Sequence, residues 1–309
     1  MTEPASSEMG VSEGDSTDEP AFFRALVDAG SEVLRPLPAS ASGWSRDQIR
    51  GMAVNGALAR ATERTADRVL PEMRPARWAV DLFRPARVRP TTVTTTVVRH
   101  GRRIGVIDAE LSQGNGPVAR SRALFARPAS TPMGQVWRPE HILPAPPPEL
   151  VPSGDDPRLF YSKQQGWTTR TDPHQNGSHK QVWHLAVPLV EGERPTPFQM
   201  IASVADLTSL VVNWGTAGVE FINADIDLVL TRLPASMELG LSAIDRSEND
   251  GISVGTAVIF DRDGPLGSAS VVALANPVSG VDPGNRRPDL SAFAAVAGHG
   301  QDGERGPVR

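Results

Sequence analysis

Residues 103–125 read RIGVIDAELSQGNGPVARSRALF, and residues 251–273, which lie 148 positions later, read GISVGTAVIFDRDGPLGSASVVA. Each stretch contains an apolar run, a turn with a Gly-Pro pair and a second apolar run; the pairs are Gly116-Pro117 and Gly264-Pro265. Two apolar runs that flank a glycine turn are typical of antiparallel strands joined by a hairpin. Because both hairpins fall in one ungapped register, the sequence predicts that the chain contains one structural unit twice.

The same register extends to the rest of both halves. Arg84 falls opposite Arg232, and Ala57 falls opposite Ala205. The other paired segments are a helix-like stretch at 46–66 with one at 197–212, and apolar runs at 78–83 and 91–98 with runs at 226–231 and 239–246. Each unit is therefore predicted to be a helix followed by four strands. A duplication of this kind lets a ligand site form between the copies, with chemistry kept at only one of two equivalent places.

The predicted helix of the first unit carries small side chains at helical spacing. Ser45-Arg-Asp-Gln48 resembles a capping box, so we expect the helix to begin at about residue 46. The apolar and small residues that follow are Ile49, Met52, Ala53, Gly56, Ala57 and Ala61. Their size favours close packing of the helix into a curved antiparallel sheet, which is the hotdog arrangement. We therefore predict an α+β double hotdog, in which two tandem units, each a long helix wrapped by an antiparallel sheet, form one continuous sheet.

Composition divides the chain into a body, a linker and two tails. Residues 1–19 are acidic and poor in large apolar side chains, and residues 278–309 are rich in Gly, Pro, Asp and Arg, so both are predicted to be disordered. Residues 131–178 contain many prolines, which oppose helices and central strands, so this segment is predicted to link the halves over the surface. The predicted hotdog units are then 20–130 and 179–277.

Composition also excludes several classes of function. The absence of cysteine excludes disulfides, thiolate metal sites and cysteine nucleophiles. The net charge of −5 argues against a general nucleic-acid surface. There is neither a signal-like N-terminus nor an apolar stretch near 18 residues, so we expect a cytoplasmic protein without a membrane span. His174, His179 and His184 recur every five residues, which suits neither a helix face nor a strand face, so no metal site is predicted.

Several motifs in fixed order resemble one known family. In the first half they are Leu82-Phe83-Arg84-Pro85, Val98-Arg99-His100-Gly101-Arg102-Arg103, Leu111-Ser112-Gln113-Gly114 and Val118-Ala119. In the second half they are Ala205-Asp206-Leu207, the run from Phe221 to Ile226, Arg232-Leu233-Pro234, Gly251-Ile252 and Asp261-Arg262-Asp263-Gly264. Together, from about residue 22 to 277, they resemble the TesB-like acyl-CoA thioesterases (acyl-CoA thioesterase II), which are double-hotdog proteins.

The resemblance implies hydrolysis of acyl-CoA to free fatty acid and CoA, without a covalent intermediate, metal or cofactor. In that family an Asp on the second helix, a Thr, Ser or Asn at the start of the next strand, and a Gln on the last strand hold the attacking water. The matching positions here are Asp206, Asn223 and Val272. Valine has no polar group with which to orient water, so Ser270, or Ser268 on the same strand face, is the expected substitute.

The roles of these residues can be stated in physical terms. Asp206 is expected to accept a proton from water, with its pKa raised by burial, while Asn223 orients the water or the carbonyl. The position of the first half that corresponds to Asp206 is Leu58. Since leucine cannot act as an acid or base, we expect one reactive centre per chain.

Three arginines near the first predicted hairpin are candidates for binding CoA. Arg99, Arg102 and Arg103 can hold phosphates through charge-assisted hydrogen bonds. The same residues also suit a solvated hairpin tip. Both interpretations stay open at the level of sequence.

Two other functions fit the same resemblance. The first is an acyl-CoA or acyl-carrier binding protein that keeps the apolar tunnel without hydrolysis, because Val272 replaces the glutamine. The second is an enoyl-CoA hydratase, which shares the double-hotdog fold. Hotdog hydratases usually present an Asp/His pair, and no histidine lies near Asp206 in sequence, which argues against this alternative. The sequence leaves the acyl chain length and a homodimer open.

Overall fold

The computed structural model describes residues 20–276, except 46, 115, 151 and 153–156, together with 280, 281 and 283. The predicted tail 1–19 lies outside these residues, as does the predicted tail 278–309 apart from three positions. Among the helices of this described part, none is long and apolar enough to cross a membrane.

The described residues of the first half form one long helix and six strands. They are β1 (Phe23–Asp28), β2 (Ser31–Pro36), α1 (Gly51–Val69), β3 (Arg74–Leu82), β4 (Thr92–His100), β5 (Ile104–Gln113) and β6 (Gly116–Ala126). A short 3-10 turn, Pro38–Ser40, precedes α1.

The second half contains two shorter helices and ten strands among the described residues. They are β7 (Arg158–Ser162), β8 (Gly166–Thr168), β9 (Lys180–Leu185), α2 (Pro197–Val204), α3 (Thr208–Asn213), β10 (Trp214–Gly215), β11 (Gly218–Val219), β12 (Phe221–Asn223), β13 (Asp225–Leu230), β14 (Glu238–Asn249), β15 (Ile252–Asp261) and β16 (Gly264–Ala275). Two further 3-10 turns span Asp172–His174 and Ala205–Leu207.

The predicted duplication is present in the structure. The bounds of β5 shifted by 148 positions are those of β15, and β6 and β16 begin at equivalent residues. Arg84 donates from Nη2 to the Gly116 carbonyl at 2.8 Å, and Arg232 donates from Nη2 to the Gly264 carbonyl at 2.9 Å. Two residues 148 positions apart therefore make the same hydrogen bond in their own units.

One antiparallel sheet runs through both halves. Its strand order is β4-β5-β6-β3-β13-β16-β15-β14-β9-β7-β8, with β12 beside β16. The halves join where β3 pairs with β13, with Val80 opposite Ile226. The helix α1 packs on β4, β5 and β6, and α3 packs on β14 and β15. One hydrophobic core spans both units. The prediction of an α+β double hotdog with a continuous sheet is confirmed.

The predicted capping box is not present. The helix α1 begins at Gly51 rather than near residue 46, and no side chain in the described part of the chain caps its N-terminus. The Ser45 hydroxyl instead donates to Asp47 at 2.8 Å. The N–H of Ile49 donates to the Ala86 carbonyl at 2.9 Å, which holds this segment extended. Tertiary pairing therefore overrides the local capping pattern.

The predicted linker 131–178 contains regular structure in its second part. Strands β7 and β8 lie within it, next to β9 at one end of the sheet. Proline is tolerated at the start of a strand, and Pro157 immediately precedes β7. The predicted linker therefore includes two strands of the sheet between 158 and 168, whereas 131–150 has neither helix nor strand.

A buried arginine ties the two halves together beside α1. Arg60 is 1% exposed and lies 2.7 Å from Glu32 of β2 and 2.7 Å from Glu193 of the second half. Its hydrogen bonds hold the pKa of both carboxylates below the ordinary range. Arg64 contacts the same two carboxylates at 3.0 Å, but its side chain is 47% exposed.

Replacing Arg60 should destabilise the fold far more than replacing Arg64. We expect Arg60→Met to lower the free energy of unfolding by about 2 to 4 kcal/mol, because two partly buried carboxylates lose their partner. Arg64→Met, the matched control, should cost less than about 1 kcal/mol. Urea titration at neutral pH measures both changes. Equal losses of stability in the two variants would contradict the larger role given to Arg60.

The cost of Arg60→Met should also depend on pH. Because the pKa of Glu32 and Glu193 is lowered from 4.5, their stabilisation is present above pH 4.5 and is lost as the pH falls through the lowered values. The stability difference between wild type and Arg60→Met should therefore shrink in acid. Urea titrations of both proteins at a series of acidic pH values measure whether this stability difference shrinks.

Candidate active site

A break in the second helix presents Asp206. The sequence predicts one helix over 197–212, whereas the structure has a 3-10 turn, Ala205–Leu207, between α2 and α3. Ala205 and Leu207 are buried, while Asp206 between them keeps part of its surface exposed. A 3-10 stretch inside a helical segment often marks a functional position. Here it turns one acidic side chain out of an otherwise buried helix.

The carboxylate of Asp206 lies against the first turn of α1. The Asn223 Nδ2 donates to Asp206 Oδ1 at 3.0 Å, and the backbone N–H of Met52 also donates to this carboxylate. A Cβ placed on Gly51 would lie 2.1 Å from Asp206 Oδ1, so only glycine permits this approach. The structure thus brings together Asp206 and Asn223, as predicted, and adds Gly51 and Met52 of the other half.

The surroundings of Asp206 favour its protonated form. Burial raises the pKa of Asp206 above its ordinary value of 3.8. The hydrogen bond from Asn223 opposes this rise, followed by the Met52 N–H and the charges of Arg50 and Arg158. A carboxylate whose pKa is raised is a better proton acceptor near neutral pH than an ordinary aspartate.

A cavity of about 390 Å³ opens beside this carboxylate and is lined by both halves. Its volume lies in the range of small-molecule sites. Most of its wall is apolar, with Ile49, Met52 and Leu82 from the first half and Leu207, Leu210 and Ile222 from the second. Asp206 and Asn223 are among its few polar groups. The arrangement suits a ligand with an apolar chain and a reactive polar end.

The structure does not bring Ser270 to this site. Its hydroxyl lies 3.0 Å from that of Thr256 on the neighbouring strand. On that strand Gly255 faces Val212 of α3, so Thr256 and its partner Ser270 point to the other face of the sheet. Ser268 shares the strand face of Ser270. Neither serine replaces the expected glutamine.

The arginines at the β4–β5 hairpin also lie away from the cavity. Arg99, Arg102 and Arg103 are exposed. Gly105 beside them contacts Leu70, which caps the C-terminus of α1. The cavity is at the other end of this 19-residue helix, about 28 Å away. Binding of CoA phosphates at this tip stays a prediction that the geometry of the cavity does not support.

The equivalent place in the other half is occupied differently. Leu58, the register partner of Asp206, is fully buried. A second carboxylate, that of Glu63, nevertheless meets the N-terminus of α2: Thr196 Oγ1 and Gln199 Nε2 each donate to its Oε2 at 2.7 Å. Burial raises the pKa of Glu63. The register points to Leu58 and therefore misses Glu63, five positions along the same helix.

Comparison with known proteins agrees with the fold. A model of the acyl-CoA thioesterase N-terminal domain matches residues 41–126, and one of the C-terminal domain matches residues 139–274. The acyl-CoA thioesterase II TesB2 of Mycobacterium marinum is 17% identical, with a TM-score of 0.59 over 85% of this chain and 98% of that chain. The tesB protein of Mycobacterium avium subsp. paratuberculosis is 16% identical, with a TM-score of 0.55 over 80% and 93%.

A third similar structure carries the name of the fold itself. It is a conserved protein of unknown function with a hot dog fold from Alicyclobacillus acidocaldarius, which is 16% identical, with a TM-score of 0.59 over 81% of this chain and 95% of that chain. Among curated proteins, none matches this sequence. At these identities the structures establish the fold, and the domain models establish the family.

Adding one methyl group at Gly51 should displace Asp206 while leaving the fold intact. We expect Gly51→Ala to lower the rate of thioester hydrolysis by about 100-fold, the effect of a reacting group misplaced by about 1 Å. The free energy of unfolding should change by less than about 1 kcal/mol, because alanine suits a helix. Enzyme assays and urea titration measure the two effects.

The matched control is Gly56→Ala on the same helix. The added Cβ would lie 2.2 Å from Leu189 and away from Asp206. This variant should lose stability and keep the turnover of its folded fraction. The assignment of Gly51 is wrong if both variants show the same pattern.

Proposed function

We propose, from the premise that this chain belongs to the TesB-like acyl-CoA thioesterase family, that it hydrolyses acyl-CoA to free fatty acid and CoA through a water held at Asp206. Membership of the family supports thioester hydrolysis in general. The observation that carries the finer proposal is the Asp206–Asn223 pair at the N-terminus of α1, on the wall of an apolar cavity between the halves.

In the proposed reaction Asp206 acts as general base. The water oxygen forms a bond to the thioester carbon while Asp206 takes one water proton. The tetrahedral intermediate then breaks its carbon–sulfur bond, and the leaving thiolate of CoA receives that proton from Asp206. Asn223 holds the carboxylate through Nδ2, which leaves its own carbonyl oxygen available to accept from the water.

The first turn of α1 supplies donors for the carbonyl oxygen of the substrate. The N–H of Gly51 makes no hydrogen bond among the residues that the structure describes. It stands at the N-terminus of a 19-residue helix, where the peptide dipoles favour negative charge. A donor aimed at the developing oxyanion contributes roughly 3 kcal/mol in well-studied enzymes. We assign this role to the Gly51 amide.

The main alternative is acyl-CoA binding without hydrolysis. Val272 stands where the family resemblance places a glutamine, and this observation favours the alternative. The cavity would then hold the acyl chain with no water activated beside it. A hydratase gains no support, because no histidine is among the described residues that line the cavity.

Removing the base should separate hydrolysis from binding. We expect Asp206→Asn to lower kcat by about 100- to 10,000-fold, since amide cannot take the proton. The affinity for a non-hydrolysable acyl-CoA thioether should stay within about 3-fold. Release of free thiol from short, medium and long acyl-CoAs measures turnover, and calorimetry measures binding.

Glu63→Gln is the control, because Glu63 is a second buried carboxylate at a helix N-terminus and does not line the cavity. It should keep the wild-type kcat. Turnover that survives Asp206→Asn would contradict the role of Asp206 as general base. Binding without turnover in the wild type would leave an acyl-CoA binding protein and sink hydrolysis.

The pH profile should report the raised pKa of Asp206. The base acts when ionised, so kcat/KM should fall as the pH falls through a pKa above 3.8. Because the Asn223 hydrogen bond lowers this pKa, Asn223→Ala should move the acid limb to higher pH. Profiles with one acyl-CoA test this, with Glu63→Gln again as the control. A shift to lower pH in Asn223→Ala would contradict the assignment.

A further inference from the structure

A water held inside a protein typically makes about three hydrogen bonds, so a water that attacks a thioester needs a partner in addition to its base and one acceptor. Asp206 supplies the base and Asn223 one acceptor. The side chain at Val272 is apolar and lies on the strand face opposite the one that meets the helices, so it points away from the cavity. Its backbone is already used: its N–H donates to Asp225 at 2.6 Å, and its carbonyl accepts from the Ala224 N–H at 2.8 Å. The third partner must therefore come from another part of the cavity wall.

Ser209 is placed to be that partner. It lies in the first turn of α3, three residues after Asp206 of the preceding 3-10 turn, and residues three apart in such turns lie on one side of the segment. It lines the same cavity and is 6% exposed. No hydrogen bond of its hydroxyl is found among the residues that the structure describes. A hydroxyl that can both donate and accept thus borders the cavity beside the proposed base.

Two other polar side chains of the cavity are already committed to the backbone. The Ser42 hydroxyl accepts from the Trp44 N–H at 3.1 Å. Arg50 donates from Nε to the Ala41 carbonyl at 2.8 Å. Gln48 lines the cavity too, before the start of α1, and is the competing amide. Ser209 is the hydroxyl that shares a helix segment with the base.

We propose that the Ser209 hydroxyl orients the attacking water beside Asp206 and takes the part that glutamine plays in the related thioesterases. The inference rests on the proposed thioester hydrolysis. The water would donate one hydrogen to Asp206 and the other to the Asn223 carbonyl oxygen. It would accept from the Ser209 hydroxyl at one lone pair, so that its other lone pair faces the thioester carbon. Serine is shorter than glutamine, and its position within one helical turn of Asp206 compensates for the shorter reach.

The test compares Ser209→Ala with Ser209→Thr. Ser209→Ala should lower kcat by about 10- to 100-fold and leave KM within about 3-fold, because the hydroxyl contacts water rather than the acyl chain. Its acid limb should stay at the wild-type pH, since the groups that set the pKa of Asp206 are unchanged. Ser209→Thr keeps a hydroxyl and should recover most of the rate. A merely structural role would change KM or stability and would not be rescued by threonine.

Thr208→Val is the matched control. The Thr208 hydroxyl is sealed in the core without a hydrogen-bond partner in the described structure, so removing it should leave kcat unchanged. Gln48→Leu tests the competing amide. The inference is overturned if Ser209→Ala keeps the wild-type kcat while the wild type hydrolyses acyl-CoA, or if Gln48→Leu alone lowers kcat. A wild type that binds without hydrolysis would instead overturn the proposed function itself.

Discussion

The candidate site depends on the contact between the Asp206 carboxylate and the first turn of α1. Asp206 belongs to the second half and α1 to the first, so neither unit alone contains the site. A carboxylate taken out of water loses hydration, which costs free energy unless hydrogen bonds replace it. The Met52 N–H and the Asn223 amide replace part of it, and Gly51 leaves the space for the approach. The pKa of Asp206 is still raised, and a raised pKa makes a carboxylate a better proton acceptor.

Duplication has produced two carboxylates at helix N-termini with different surroundings. Asp206 faces a cavity, and its carboxylate accepts from the Met52 N–H and from the Asn223 side chain. Glu63 is held by Thr196 and Gln199, which both donate to its carboxylate. The first arrangement leaves lone pairs for water, whereas the second uses them within the protein. The duplicated fold therefore contains one candidate reactive centre and one carboxylate whose hydrogen bonds are internal to the protein.

The sheet was predictable because its signals are local: each hairpin carries its own apolar runs and Gly-Pro turn. Asp206 and Asn223 were reached through the family resemblance, and the structure places them in contact. The 3-10 turn was not predictable, since an apolar helical period over 197–212 fits an unbroken helix equally well. The expected place of Ser270 at the site was wrong, because strand alternation groups residues by face without telling which face meets the helices. The distance of Arg99 from the cavity was not predictable, because sequence does not tell which end of a helix a hairpin tip will reach.

The valine at the expected glutamine position is compatible with a working site because of what its backbone does. The Val272 carbonyl accepts from the Ala224 N–H, and its N–H donates to Asp225. These bonds fix the two residues that directly follow Asn223, and so they fix the direction of the amide that contacts Asp206. Backbone hydrogen bonds of this kind do not depend on the side chain at 272. The strand can therefore keep its positioning task while the polar contact to water moves to the helix side of the cavity, where Asp206 and Ser209 share one face.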